Sequence, residues 1–384
     1  MAIARPFRAV RPIPELADRV ASLPYDVMNR AEAKAMARDN ELSFLRVVRA
    51  EIDLPDCVDD YADEVYKKGC ARLLEMIADG VMKQDERPFF YLYRQIMKGR
   101  VQTGLVATVS VDEYLTNKIK KHEFTREAKE LDRTRHFDAC DAHTEPVFLT
   151  YRKHDTINKV IGDFIKFNDP IYDFKTDDGI THIVWVMDDV EAVTTLEALF
   201  ADVPALYIAD GHHRSATSAN VALKRREEYP DAPANAEFNY FMAIIFPDEE
   251  LFIMDYNRVV KDLNGMTPET FLKQIGTTYR VEQVDQLFHP HKKAEICMYL
   301  DGHCYRLTAD EALFKGLDPV ESLDVSILQN NVLSPLLGIE DPRTSMRIDF
   351  VGGIRGLDEL KRRVDGGWAV AFAMCPTTME DLLA

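Results

Sequence analysis

The sequence has few cysteines, no long apolar run and a deficit of positive charge. Its six cysteines include no Cys-x-x-Cys pair, which excludes a disulfide scaffold or a zinc ribbon. No run approaches the ~20 apolar residues of a transmembrane helix, and the arginine-containing N-terminus has no apolar core for a signal peptide. Lys and Arg number 47 against 65 Asp and Glu, a formal charge of −18, which disfavours nucleic acid and anionic membranes as partners. We therefore expect a cytoplasmic protein that acts on a small-molecule substrate. We also expect it to form a homodimer.

The chain alternates between helical and strand-like patterns. Its 384 residues suggest two or three domains, and 46% apolar with 29% charged residues is ordinary globular usage. The principal predicted helices are Ala31–Asn40, Tyr61–Asp79, Phe124–Ala139 and Ser215–Tyr229. The predicted strands include Phe44–Val48, Val101–Val109, Thr181–Met187 and Ala205–Ala209, with hairpins pairing Phe238–Phe246 with Leu251–Met254 and Glu295–Leu300 with Cys304–Leu307. These patterns predict an α+β fold with a mixed sheet.

The most informative segment joins a short apolar strand to a long helix through one glycine. It reads Leu206-Tyr207-Ile208-Ala209-Asp210-Gly211-His212-His213-Arg214-Ser215. Free backbone N–H groups and the helix dipole favour an anion at such a helix start. The guanidinium and imidazoles add hydrogen-bond donors suited to phosphate oxygens. The carboxylate of Asp210 is placed to cap the helix, to hold a ribose or to position a magnesium-bound water.

A second segment, Ile119-Lys120-Lys121-His122-Glu123-Phe124-Thr125, follows a strand and opens a charged helix. Its lysines carry the charge needed to neutralise phosphate, and Glu123 is a candidate proton acceptor for a substrate hydroxyl. In isolation such a run is more typical of a solvated helix face. No Gly-x-x-x-x-Gly-Lys-Ser/Thr, Gly-x-Gly-x-x-Gly, Gly-x-Ser-x-Gly or His-Glu-x-x-His pattern is present, so nothing indicates a P-loop, a Rossmann site, a serine hydrolase or a directly bound metal.

Together, the two segments resemble the free L-serine kinases of the ParB/sulfiredoxin superfamily. Over its whole length the chain is similar to an uncharacterised bacterial family that carries the same His-His-Arg signature. The runs that match this wider family are Leu23-Pro24-Tyr25-Asp26, Lys121-His122-Glu123-Phe124-Thr125, Asn330-Asn331-Val332-Leu333 and Asp341-Pro342-Arg343. The kinase resemblance also extends to Pro376–Leu382.

The resemblance implies a kinase that uses ATP or ADP with Mg²⁺ and phosphorylates L-serine. Glu123 would be the general base, with Asp210 as the second catalytic carboxylate. The implied phosphate ligands are Lys120, Lys121, His122, Gly211, His212, His213, Arg214 and Ser215. Asn330 and Arg343 are candidate residues of a substrate cleft. The expected domains are 1–118, a ParB/sulfiredoxin-like nucleotide-binding core over 119–260, and 261–384, which would complete the cleft.

The sequence departs from the kinase pattern in three places. Lys121 replaces a proline, and many more residues separate Glu123 from Asp210 than in the kinase. The chain stops at Ala384, where the kinase continues into a loop that helps to hold substrate. The phosphate acceptor therefore stays open between L-serine and a similar hydroxylated metabolite. One alternative is a ParB-like nucleotide-binding regulatory protein without kinase activity, and another is a non-catalytic interaction protein. A sulfiredoxin-like reductase is disfavoured because no cysteine lies near the His-His-Arg run.

Overall fold

The computed structural model describes residues 2–122, 125 and 127–383, and their contacts divide the chain into two compact units. The first unit ends at Leu251 and the second begins at Phe252. The three domains expected from the sequence, 1–118, 119–260 and 261–384, stay a prediction. The division into two units follows from residue contacts and does not test which part binds a nucleotide. None of the described helices is both long enough and apolar enough to cross a membrane.

The first unit is built on a nine-stranded mixed sheet. The strands of this unit are β1 Ala4–Arg5, β2 Val10–Pro12, β3 Met82–Gln84, β4 Phe90–Met97, β5 Arg100–Ser110, β6 Ile119–Lys120, β7 Val147–Tyr151, β8 Tyr172–Lys175, β9 Thr181–Met187, β10 Leu206–Asp210 and β11 Tyr240–Pro247. The sheet order is β6-β10-β7-β11-β5-β4-β9-β8, with β1 on β5, while β2 and β3 form a separate pair. Only the pairs β6–β10 and β7–β11 are parallel, so the α+β class with a mixed sheet is confirmed.

Nine α-helices of the described residues belong to this unit. They are α1 Ala17–Val20, α2 Arg30–Met36, α3 Leu45–Val48, α4 Asp63–Ala78, α5 Val111–Leu115, α6 Glu127–Cys140, α7 Asp155–Phe167, α8 Val190–Ala201 and α9 His212–Glu228. Asn29 caps α2 through a reciprocal pair of hydrogen bonds with Glu32. The main core lies against the sheet, where Phe90, Leu105 and Phe200 have no exposed surface.

The second unit is an antiparallel six-stranded sheet with its own core. Its strands are β12 Tyr256–Val260, β13 Tyr279–Val284, β14 Glu295–Leu300, β15 His303–Ala309, β16 Ile348–Gly352 and β17 Val370–Met374, in the order β13-β15-β14-β17-β12-β16. The helices are α10 Pro268–Ile275, α11 Asp324–Leu328, α12 Leu357–Asp365 and α13 Met379–Leu383, with a π-helical turn over Gln329–Leu333. The hairpin predicted across Asp301 and Gly302 is confirmed as β14 and β15.

Two predicted strands are wrong. The apolar run Phe44–Val48 contains helix α3, whose Leu45, Val47 and Val48 are all buried. A short apolar run has the same appearance in a buried strand and a buried helix, so periodicity cannot separate them. Residues Leu251–Met254 form no strand, and β11 pairs instead with β5 and β7 in the middle of the large sheet.

Candidate functional site

The turn between β10 and α9 depends on the backbone of Gly211. Its φ of 95° lies in the left-handed region, which L side chains rarely adopt. A Cβ atom added at this position would also lie 3.0 Å from the Nε atom of Arg214. The glycine therefore lets the strand enter the helix directly, with a guanidinium packed against its backbone. The first backbone N–H groups of α9 follow at His212.

The second sequence motif reaches the same edge of the sheet. Strand β6 runs parallel to β10, with Lys120 opposite Tyr207, so both strands end toward the Gly211 turn. His122 follows β6, and its ring meets that of His212 edge to face, with 4.3 Å between the ring centroids. Two segments that are far apart in the sequence are thus brought into contact. Glu123, the predicted base, lies outside the described residues.

Burial lowers the pKa of both contacting imidazoles. His212 is 5% exposed, and burial, together with the charges of His122, His213 and Arg214, lowers its pKa to about 3. The protein atoms around His122 also lower its pKa, although Asp210 opposes the shift and the residue keeps exposed surface. A neutral imidazole offers one N–H donor and one acceptor. His212 therefore adds no positive charge to the turn at neutral pH.

The predicted lysines have exposed side chains beside this turn. Lys121 places its ammonium 3.7 Å from the centroid of the Tyr114 ring, a cation–π contact. Partial removal from water lowers the Lys121 pKa. Lys120 is exposed, and His213 is half-buried on the first turn of α9. An anion at the start of α9 would therefore meet charged groups on the β6 side.

Arg214 lies beneath the turn, and 3% of its surface is exposed. Its guanidinium donates to the backbone carbonyl of Pro146 and to the carboxylate of Asp210. Burial works against the charge, but the carboxylates of Asp210, Glu145 and Asp26 outweigh it and raise the pKa of the guanidinium. In this structure the side chain braces the turn, and its role as a phosphate ligand stays a prediction.

Ser215 has no exposed surface. Its hydroxyl donates to the carbonyl of Gly211 at 3.1 Å, inside the first turn of the helix. Thr217 is equally buried and donates to the carbonyl of Glu130 at 3.2 Å, which ties α9 to α6. The predicted contact of Ser215 with phosphate would therefore use its backbone or require the hydroxyl to change partners.

A buried charged cluster beneath the turn was not anticipated from the sequence. Glu145 is 7% exposed and accepts a hydrogen bond from the backbone N–H of Tyr25 at 2.9 Å. Its other oxygen lies 4.0 Å from the guanidinium of Arg133, which also packs over the Tyr25 ring. Burial raises the Glu145 pKa, while Arg214 and Arg133 oppose the shift. The run that contains Tyr25 is one of those that resemble the wider family, but no local pattern identifies Glu145 or Arg133.

The remaining predicted residues belong to the second unit. Asn330 is exposed on the π-helical turn, and Arg343 forms an exposed ion pair with Asp341 at 2.7 Å. Their assignment to a substrate cleft stays a prediction. Within the described ranges, no three or more His, Cys, Asp or Glu residues converge in an arrangement that would hold a metal ion.

Comparison with known proteins identifies one family over most of the chain. The family described as "Protein of unknown function (DUF1015)" matches residues 4–326. A conserved hypothetical protein from Pyrococcus furiosus is 11% identical, with a TM-score of 0.32 over 75% of this chain and 85% of that one. A free serine kinase, solved as a mutant in complex with AMP, is 12% identical, with a TM-score of 0.34 over 72% of this chain and 80% of that one. No curated protein matches the sequence.

Proposed function

The chain belongs to the DUF1015 family of proteins of unknown function, and we propose that it is a small-molecule kinase. It would transfer a phosphoryl group from ATP or ADP to the hydroxyl of free L-serine or of a similar metabolite. The observation that carries this proposal is the ring contact between His122 and His212. That contact puts the lysine-containing segment beside the helix start, which is the arrangement that phosphoryl transfer needs for charge neutralisation.

The nucleotide phosphates would bind at the first turn of α9. Backbone N–H groups after Gly211 would donate to phosphate oxygens, and Lys120 and Lys121 would offset their charge. The imidazoles of His122 and His212 would each donate one further hydrogen bond. Arg214 would act from below as a positioning residue, since its donors already hold Asp210 and Pro146.

In the reaction, the acceptor hydroxyl oxygen forms a bond to the transferring phosphorus. The bond between that phosphorus and the leaving nucleotide oxygen breaks, and the hydroxyl proton passes to the carboxylate of Glu123. Asp210 has a largely exposed carboxylate and would position a water of the Mg²⁺ that the nucleotide phosphates carry, since this ion usually keeps several waters when it binds phosphates. The magnesium ion would neutralise phosphate charge.

The direct test is acceptor-dependent turnover. With ATP or ADP and Mg²⁺, L-serine should stimulate release of ADP or AMP, and the phosphate should appear on the serine hydroxyl by ³¹P NMR. L-alanine is the matched control because it differs only by that hydroxyl. Nucleotide binding without release for any hydroxylated amino acid would favour the second candidate, a nucleotide-binding regulatory protein. If no nucleotide raises the melting temperature, both candidates are wrong, since a ligand of the folded state must stabilise it.

Nucleotide affinity should increase as pH falls from 8 toward 6. The His122 pKa is lowered in the ligand-free protein, and an adjacent phosphate anion would raise it, so binding takes up a proton. One linked proton strengthens binding by at most about tenfold per pH unit. The measurement is Kd against pH for the native protein and His122→Gln, because the nucleotide's own titration is common to both. Equal slopes would show that His122 does not face the phosphates.

A further inference from the structure

A cavity of about 750 Å³ opens beside the second half of α9, beyond the Gly211 turn. Its walls come from the end of α6, the loop after α6, α9 from Ser218 onward and the loop that follows α9. Phe137, Tyr229 and Phe238 contribute aromatic rings to the lining. The volume falls in the range of small-molecule sites, about 300–1,000 Å³. No residue of the sequence motifs or of the proposed phosphate site lines it.

The floor of the cavity is polar and uncharged. His143 holds the carbonyl of Tyr240 with its Nε2 atom at 3.1 Å, which fixes that nitrogen as the donor. Its Nδ1 atom is then an acceptor and lies 3.5 Å from the hydroxyl of Ser218, which donates to the carbonyl of Arg214 at 2.8 Å. Burial lowers the His143 pKa to about 4, so the ring adds no positive charge at neutral pH.

The walls carry more negative than positive charge. Four carboxylates line the cavity: Asp141, Glu228, Asp231 and Glu237. Arg225 is the single lining cation, and it is held by Glu228 at 2.8 Å and Asp141 at 3.2 Å. Glu237 pairs with Arg5 from outside the lining, and Lys224 approaches Glu228 at 3.6 Å. No cation of the described residues pairs with Asp231, so an excess of negative charge remains at the mouth.

We propose that this cavity is a second ligand site and that it binds an organic cation, an amine with an aromatic or aliphatic body. Carboxylates at the mouth attract the ammonium group of such a ligand. The aromatic rings can make a cation–π contact with the ammonium and pack against the apolar part of the ligand. The same negative charge repels phosphorylated ligands. Two proposed sites therefore lie along helix α9, one for anions at its start and one for a cation beside its second half. This inference does not depend on the proposed kinase activity.

Three probes of similar shape and different charge test the ligand class. Phenethylammonium, 2-phenylethanol and 3-phenylpropanoate are titrated into the full chain by calorimetry, each up to 10 mM at pH 7. We expect phenethylammonium to bind at least tenfold more tightly than the neutral alcohol, with an affinity that falls as salt increases. The carboxylate should bind most weakly. Equal affinities for the three probes, or no binding of the amine at 10 mM, would overturn the proposal.

A pair of tryptophan substitutions on α9 places the binding in this cavity. Val221 lines the cavity, so the indole of Val221→Trp should occupy part of it and weaken phenethylammonium binding at least tenfold. Leu223→Trp is the matched control, because Leu223 is exposed on the same helix and lies outside the lining. An unchanged affinity in Val221→Trp would show that the amine binds elsewhere. Nucleotide binding at the turn is measured separately in both variants and should not change, so a failure of the kinase proposal is distinguishable.

Discussion

Glu123→Gln should lower kcat for acceptor phosphorylation by about 10²–10⁴-fold, the contribution of a positioned general base. The amide keeps the size of the side chain but cannot accept the proton that leaves the acceptor hydroxyl. Nucleotide affinity should stay within about threefold of the native value, since the proposed phosphate ligands are elsewhere. Steady-state kinetics together with nucleotide titration separate the two effects.

The control for this substitution is Glu127→Gln. Glu127 is exposed on the first turn of α6 and has no role in the proposed mechanism. Glu127→Gln therefore makes the same carboxylate-to-amide change close to Glu123 in the sequence. Its kcat should be native. If Glu123→Gln keeps a kcat within threefold of native, Glu123 is not the base and the mechanism fails. Loss of nucleotide binding in Glu123→Gln would instead assign the residue to the phosphate site.

Arg214→Met should lower the free energy of unfolding of the first unit by about 3 kcal/mol. Methionine fills most of the same volume, but the Pro146 carbonyl and the Asp210 carboxylate lose their donor. The buried carboxylate of Glu145 also loses one of the two guanidinium charges that favour its ionised form. Removing one member of a buried charged cluster usually costs more than the cluster contributes in total, because the remaining charges stay buried.

The two tryptophans allow this loss to be assigned to one unit. Trp185 lies in the first unit and Trp368 in the second, so urea unfolding is followed by fluorescence in a Trp368→Phe background. Lys224→Met is the control, since Lys224 is on the same helix but forms only exposed or half-exposed ion pairs with Asp138 and Glu228, where a loss below about 1 kcal/mol is expected. A loss of the same small size in Arg214→Met would mean that the buried guanidinium does not brace the turn.

Local patterns in the sequence were sufficient for much of the fold. The strand Thr181–Met187 was predicted with the bounds that β9 has, and the Asp301-Gly302 hairpin followed from a turn dipeptide between two apolar runs. Partners of central strands were not predictable in this way. Tertiary packing decides that β11 pairs with β5 and β7, because the residue types within an apolar strand do not identify the strands that pair with it.

In the candidate site, too, local features were predictable from the sequence and tertiary contacts were not. The order of strand, glycine and helix around Gly211 follows from residue types, because an apolar run is followed by one glycine and then by a helical pattern. The helix begins at His212, three residues before the predicted start at Ser215. That His122 and His212 serve one site was implied by the resemblance alone, and the parallel β6–β10 pairing is what brings the two rings into contact. The inward position of Arg214 was missed, since an arginine at the first helical turn is more often exposed.

Strand β6 has two residues and pairs with β10 from much later in the chain. During synthesis on the ribosome, Lys120 and His122 therefore emerge long before the strand that fixes their position. A nascent chain that has not yet reached His212 lacks the helix start that His122 contacts in the folded unit. Closing so long a loop is entropically unfavourable until the sheet has formed. A nucleotide bound as proposed would therefore assist only the last steps of folding of the first unit.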